Sequence, residues 1–145
     1  MQLEATYAFE APSERVWALL MDTEAVAGCL PGCKGLHPIG EDRYEAELAV
    51  AVAAISGNFK GTITLQDKVP PRSYRLLVDG TGKPGFVKGH ADVTLVPDGE
   101  KTTVQIKAVA DAGGMIARVG QRLLEGVARM TMDRFYGCLA KRIPH

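Results

Sequence analysis

The chain has 145 residues, 46% hydrophobic and 23% charged, with 17 basic against 17 acidic side chains. A chain of this length buries ~68% of its surface on folding, enough for one globular domain over residues 1–145 without metal or disulfide staples. Zero net charge provides no surplus for phosphate binding by counterion release, and 6% aromatics leave few stacking platforms, so nucleic acid is excluded as a partner.

Leu3, Ala5, Tyr7 and Phe9 alternate with Gln2, Glu4, Thr6 and Glu10, the period-2 pattern of a half-buried strand. Pro12-Ser13-Glu14 opens a short helix with Val16, Trp17, Leu19 and Leu20 at helical spacing, and Asp22-Thr23-Glu24 opens a second that breaks at Gly28 and Pro31. From about Leu36 to Asp111 the spacing predicts six strands, with turns at Gly40-Glu41-Asp42, Ser56-Gly57, Pro70-Pro71, Gly82 to Gly85, and Pro97-Asp98-Gly99. Connections this short imply an antiparallel meander. Tyr44, Leu48, Val50 and Val52 share one face, as do Phe59, Ile63 and Leu65, then Tyr74, Leu76 and Val78, then Val87, Val93 and Leu95, and finally Val104 and Ile106.

After Gly113-Gly114 the period becomes 3.6 and runs to about Arg142, with Ile116, Val119, Leu123, Val127, Met130 and Phe135 on an apolar side. One amphipathic helix of roughly 30 residues is expected, ~45 Å long. Strands of 10 to 13 residues, at ~3.3 Å each, are about as long. The order fits a helix-grip α+β fold, a curved seven-stranded antiparallel sheet wrapped around a long C-terminal helix, with two short helices after the first strand.

One helix does not fill such a sheet, and small residues decide how much room is left. Ala46, Ala54, Gly57, Gly61, Gly80, Gly89, Ala91, Ala108 and Ala110 are assigned inward, with Gly120 on the helix. Each glycine alone is explained by bending and close packing; together they favour an apolar cavity in the ~300–1,000 Å³ range of small-molecule sites. Its expected lining is Leu48, Val50, Phe59, Gly61, Ile63, Leu76, Val78, Val87, Gly89, Ala91, Ile106, Ala108, Ile116, Gly120, Leu123, Val127 and Arg134. Arg134 either meets an anionic or carbonyl group of a ligand or reaches solvent past the sheet edge.

Catalytic groups and metal ligands are not found in the pattern. His37 is expected in a loop, His90 on the outward parity and His145 at the end, and no inward strand position carries Asp or Glu. The nucleophile-base pairs and metal-ligand spacings of catalytic sites are therefore not expected, and no cofactor is implied. Tyr44 and Tyr74 are the inward groups able to donate a proton, although core packing explains both. Cys29-Leu30-Pro31-Gly32-Cys33 is expected to cross the cavity mouth, placing Cys29, Pro31 and Cys33 there. Its thiols form a redox pair, half a metal site or, in the reading favoured by the missing second ligand pair, small buried hydrophobes. Ala49, Ala51, Ala53 and Ile55 are assigned to a small outward patch suited to a partner.

Three cysteines in a domain that needs no staples suit a reducing compartment better than a disulfide framework. Met1-Gln2-Leu3-Glu4 has neither the charged start nor the apolar run of a secretory signal, and no stretch approaches the ~20 apolar residues of a bilayer span. A cytoplasmic location is expected.

Several stretches together resemble the CoxG family of carbon monoxide dehydrogenase subunits, within the START/Bet v1-like superfamily that includes polyketide cyclases and lipid-transfer domains. They are Trp17 to Asp22 leading to Cys29-Leu30-Pro31-Gly32-Cys33, Gly57-Asn58-Phe59-Lys60-Gly61, Gly85-Phe86-Val87-Lys88-Gly89-His90-Ala91, and Gly113-Gly114-Met115-Ile116-Ala117 with Gly120 and Phe135. The resemblance implies a helix-grip domain with a hydrophobic cavity and no settled catalytic residues. It also implies molybdenum hydroxylase subunits as partners, with recruitment of that enzyme to the membrane, by peripheral contact, or a link to the quinone pool. The leading expectation is a non-catalytic carrier of a lipophilic small molecule, quinone- or lipid-like. A cyclase or aromatase-like enzyme and a protein-binding assembly factor are the alternatives.

Overall fold

A computed structural model of the chain describes residues 1–51 and 55–143; the readings made above for Val52, Ala53, Ala54 and His145 fall outside the described residues. Strand β1 (Gln2–Phe9) is followed by helices α1 (Ser13–Leu20) and α2 (Thr23–Cys29). Six strands come next: β2 (Cys33–Gly40), β3 (Arg43–Val50), β4 (Gly57–Val69), β5 (Ser73–Gly82), β6 (Gly85–Asp98) and β7 (Lys101–Gly114). Helices α3 (Met115–Arg118) and α4 (Gln121–Lys141) complete the chain. All seven strands form one antiparallel sheet in the order β1-β7-β6-β5-β4-β3-β2. The chain thus meanders from β2 to β7, and β1 closes onto β7. This is the α+β helix-grip arrangement expected from the strand periodicity.

Local chemistry explains several boundaries. The Asp22 carboxylate accepts hydrogen bonds from the Glu24 and Ala25 amides, at 3.1 and 3.3 Å, and so starts α2. Asp42 and Gly99 turn the β2-β3 and β6-β7 hairpins at φ 56° and 62°, in the left-handed region. His37 belongs to β2, where its side chain is exposed, rather than to a loop.

The expected single C-terminal helix is two. Strand β7 continues to Gly114, α3 lasts one turn, and Gly120, at φ 96°, interrupts the helix before α4 begins. At ~1.5 Å per residue, the 21 residues of α4 span ~32 Å instead of ~45 Å. A helix restarting after a non-helical residue does not keep the phase of the turn before it. The face of α4 toward the sheet therefore carries Leu124, Val127, Ala128, Thr131, Phe135, Tyr136 and Leu139, while Leu123 and Met130 are exposed.

The core fills one end of the grip. Phe9, Val16, Leu20, Val93, Leu95, Val104, Ile106, Tyr136, Leu139 and Ile143 are buried together there. Trp17 packs edge-on against Tyr74 at 5.6 Å, as its position beside Val16 suggested. Beneath α1, Thr102 donates to the Ala11 carbonyl at 2.7 Å and lies 3.2 Å from the Ser13 hydroxyl, so these buried polar side chains are satisfied.

Candidate functional site

Residues of the concave face line up across the sheet in rows set by strand register. At the core end one row runs Tyr74, Val93, Ile106 and Ala5. The next is Leu65, Leu76, Ala91, Ala108 and Leu3. Then come Ile63, Val78, Gly89 and Ala110, followed by Ala46, Gly61, Gly80, Val87 and Ala112. Side-chain volume thus falls away from the core, and α3 with the first three turns of α4 bridges the gap without filling it.

A hollow of about 620 Å³ results. The sheet contributes Leu3, Leu48, Val50, Phe59, Val78, Gly80, Val87, Gly89, Ala91, Ala108, Ala110 and Ala112. The helices contribute Ile116, Ala117, Gln121, Leu124, Val127, Ala128, Thr131 and Met132, with Met1 and Ile55 at the ends. His90, Val109 and Asp111 border it as well, but they alternate with inward residues, so the pleat sends their side chains to the convex face. Gly80 marks where the wall is thinnest: a Cβ built there would come no nearer any atom than 3.9 Å, to the Lys60 carbonyl oxygen.

Polar groups in this lining are few and already partnered. Thr131 donates to the Val127 carbonyl at 2.8 Å, and the Gln121 amide donates to Glu125 at 3.1 Å. Both retain an acceptor oxygen for a ligand hydroxyl or amide. A second depression, of about 420 Å³, lies on the convex face among Thr62, Thr64, Asp79, Lys88, His90 and Asp111. It has no helix over it and is polar, so it lacks the cover that excludes water from an apolar ligand.

The structure brings Leu48, Val50, Phe59, Val78, Val87, Gly89, Ala91, Ala108, Ile116 and Val127 to the hollow. It does not bring Gly61, Ile63, Leu76, Ile106, Gly120, Leu123 or Arg134 to it. Ile106 and Leu76 belong to the core end, where larger neighbours cover them. The Gly61 backbone packs directly against Gly80 and the Asp79 carbonyl, and Gly120 is the break between the helices. Leu123 and Arg134 are turned to solvent by the restarted helix phase.

Ile55, assigned above to the outer surface, is instead 5% exposed and lines the hollow; Ala51 is exposed and Ala49 half-buried. Strand β3 ends at Val50, so its alternation does not carry on to residue 55. Sequence reasoning also missed Leu124, Ala128, Thr131 and Met132. Their i, i+4, i+7, i+8 spacing from Leu124 is itself helical, and Gly120 is the breaker that separates it from Ile116.

Cys29, Pro31 and Cys33 do not line the hollow. Cys29 forms a disulfide with Cys138 on α4, with Cα atoms 5.4 Å apart, while Cys33 is a free thiol that donates to the Gly35 carbonyl at 3.5 Å. Helix α2 turns Cys29 into the core against the last turns of α4, and the following loop runs along β3, where the Ala49 amide donates to the Gly32 carbonyl at 2.8 Å. That pairing removes the cysteine-based ground for expecting a reducing compartment. Among the described residues no helix is long and apolar enough to cross a membrane.

The two tyrosines weighed as proton donors also lie away from the hollow. Tyr74 is buried in the core end, where desolvation pushes its phenol well above the ordinary tyrosine range, and Tyr44 is half-buried on β3. Tyr7 stacks on Tyr136 at 4.5 Å and donates to Asp133 at 2.7 Å; burial and that bond raise its pKa too.

Comparison with known proteins gives the same architecture. The family profile of CoxG, described as a carbon monoxide dehydrogenase subunit, matches residues 6–144. A crystal structure of a conserved protein from Geobacillus kaustophilus is 37% identical with a TM-score of 0.95, covering 97% of this chain and 93% of that one. A START superfamily protein from Mycobacterium smegmatis is 19% identical with a TM-score of 0.71, covering 98% and 96%. The Zhui aromatase/cyclase from Streptomyces sp. R1128 is 17% identical with a TM-score of 0.66, covering 97% and 92%. At such identities the last two share the fold alone. No curated protein matches the chain.

Proposed function

Since the chain belongs to the CoxG family of carbon monoxide dehydrogenase subunits, we propose that it is a non-catalytic carrier. Its cargo is a lipophilic small molecule, quinone- or lipid-like, held between sheet and helix in association with a carbon monoxide dehydrogenase-type molybdenum hydroxylase. The observation that carries this reading is the 620 Å³ hollow, whose walls are aliphatic except for Gln121 and Thr131. An empty cleft of that composition loses van der Waals contacts that an apolar ligand would restore. Covering ~300 Å² of ligand surface at ~25 cal/mol per Å² supplies ~7.5 kcal/mol before the costs of immobilisation. Oxygens of Gln121 and Thr131 would orient the polar end of the ligand. The peripheral membrane contact and the cytoplasmic setting implied by the resemblance belong to the same proposal, since a carrier of this kind collects its cargo where lipids and the enzyme meet.

The test is organic extraction of the purified protein followed by mass spectrometry, with titration of the emptied protein by a short-chain quinone and by a fatty acid. A stoichiometric lipophile in the extract, or saturable binding of one probe, is expected. An extract without one, together with no binding of either probe, overturns the reading.

A further inference from the structure

The charge neutrality of the chain conceals a separation. Residues 115–143 carry six basic and two acidic side chains, and the remainder carries 11 and 15. Most of the excess is displayed on α4, away from the sheet. Arg122, Arg129 and Arg134 are exposed, and none of them forms an ion pair among the described residues; Arg129 reaches only the Glu4 carbonyl, at 3.3 Å.

Between these arginines runs a seam at Leu123, Gly126, Met130, Asp133 and Gly137, spaced three, four, three and four residues apart and exposed along its whole length. Such spacing keeps residues on one helix face. Leu123 and Met130 expose 40% and 39% of their surface. At Gly126 and Gly137 a Cβ would meet nothing within 4 Å, and neither has positive φ. Neither packing within this chain nor backbone conformation therefore calls for glycine, which is among the poorest residues in a helix interior. A missing side chain on an open face lets another backbone come close.

We infer that this face of α4 docks an acidic protein surface bearing an apolar ridge, which lies along the glycine seam while its carboxylates meet the flanking arginines. Arginine and methionine are enriched at such interfaces, and complementary charge steers the encounter. A second copy of the chain is disfavoured as occupant, because a twofold contact would set arginine against arginine. A bilayer is disfavoured because only two half-exposed apolar side chains stand on the seam, where an interfacial helix needs a broad apolar face.

The inference rests on the carrier reading only for its choice of probe, the carbon monoxide dehydrogenase holoenzyme from the same cells. Its affinity for the full chain is measured at low and at physiological salt, and all variants are checked for unchanged circular dichroism and melting. Arg122→Glu combined with Arg134→Glu is expected to weaken binding at least tenfold and to flatten its salt dependence. Gly126→Trp, which fills the seam without changing charge, is expected to weaken it to a similar extent. Lys88→Glu on the convex face of the sheet should leave it unchanged. Binding that ignores both α4 variants overturns the docking face and leaves the carrier reading standing. Absence of binding to the holoenzyme overturns it as well, as does α4-dependent cosedimentation with phosphatidylglycerol vesicles or retention of duplex DNA in place of the protein. Extraction of a lipophile decides the carrier reading separately from all these outcomes.

Discussion

Gly80→Leu tests the hollow with least disturbance to the fold. Gly80 sits in the middle of the row Ala46, Gly61, Gly80, Val87 and Ala112, and its Cβ would find its nearest neighbour at 3.9 Å. The new side chain therefore extends into the hollow instead of displacing the sheet. Glycine inside a strand is destabilising by ~0.5–1 kcal/mol relative to alanine, so folding stability should hold or rise. An isobutyl group occupies the space of about four ligand carbons, and at ~0.8 kcal/mol per buried methylene the ligand loses ~3 kcal/mol. That is about a 200-fold loss of affinity at ~1.4 kcal/mol per tenfold. Isothermal titration of the emptied protein with the quinone or fatty acid that binds the parent chain reads this directly. Thr62→Leu, on the opposite face of the same sheet, serves as the control. A Gly80→Leu protein that melts like the parent and binds the probe equally well would refute the placement of the ligand between sheet and helix.

Three further outcomes follow from the packing. Reducing the Cys29–Cys138 disulfide, which closes a loop across a sequence separation of 109, removes up to ~4.7 kcal/mol in the chain-entropy account. Calorimetry with and without reductant should show the fall, and Cys29→Ser combined with Cys138→Ser should abolish the response to reductant. Leu139→Ala, at a position with 0% exposure, should cost ~2–5 kcal/mol by chemical denaturation, and a smaller loss would show that the core end collapses around the cavity. Arg75 grips Asp92 through two hydrogen bonds, at 2.8 and 3.1 Å, and holds its carboxyl below the usual carboxylate range. With the folded-state pKa depressed, the stabilisation is present above the ordinary aspartate range and is lost as pH falls through the folded value. The carboxyl carbon shift of Asp92 should titrate at lower pH than in Arg75→Gln, and equal midpoints would contradict the pairing.

Leu3 to Phe9 and Val104 to Ile106 were legible as strands because their neighbours alternate in polarity. The hairpins were legible because Asp42 and Gly99 stand where the backbone must take positive φ. The row of alanines and glycines also pointed to a hollow, since parity alone puts Gly89, Ala91, Ala108 and Ala110 on one face. Parity did not say which end of the grip is filled. Ile106 and Leu76 share that face with Ala91 and Ala108, yet they stand nearer the large side chains of the core end. Arg134 and Leu123 were misplaced for a different reason: helical phase was carried from Ile116 through Gly120, where the helix stops.

The order of elements, the antiparallel meander and the family follow from the sequence by itself, because alternation, helical period and turn residues are local properties of the chain. The tertiary structure alone decided which end of the sheet is hollow, where α4 faces, that Cys29 meets Cys138 and not Cys33, and that a neutral chain displays a basic helix. Each of these depends on distances between residues far apart in sequence, set by strand register and by a helix phase that restarts after Gly120. Composition and spacing carry neither quantity.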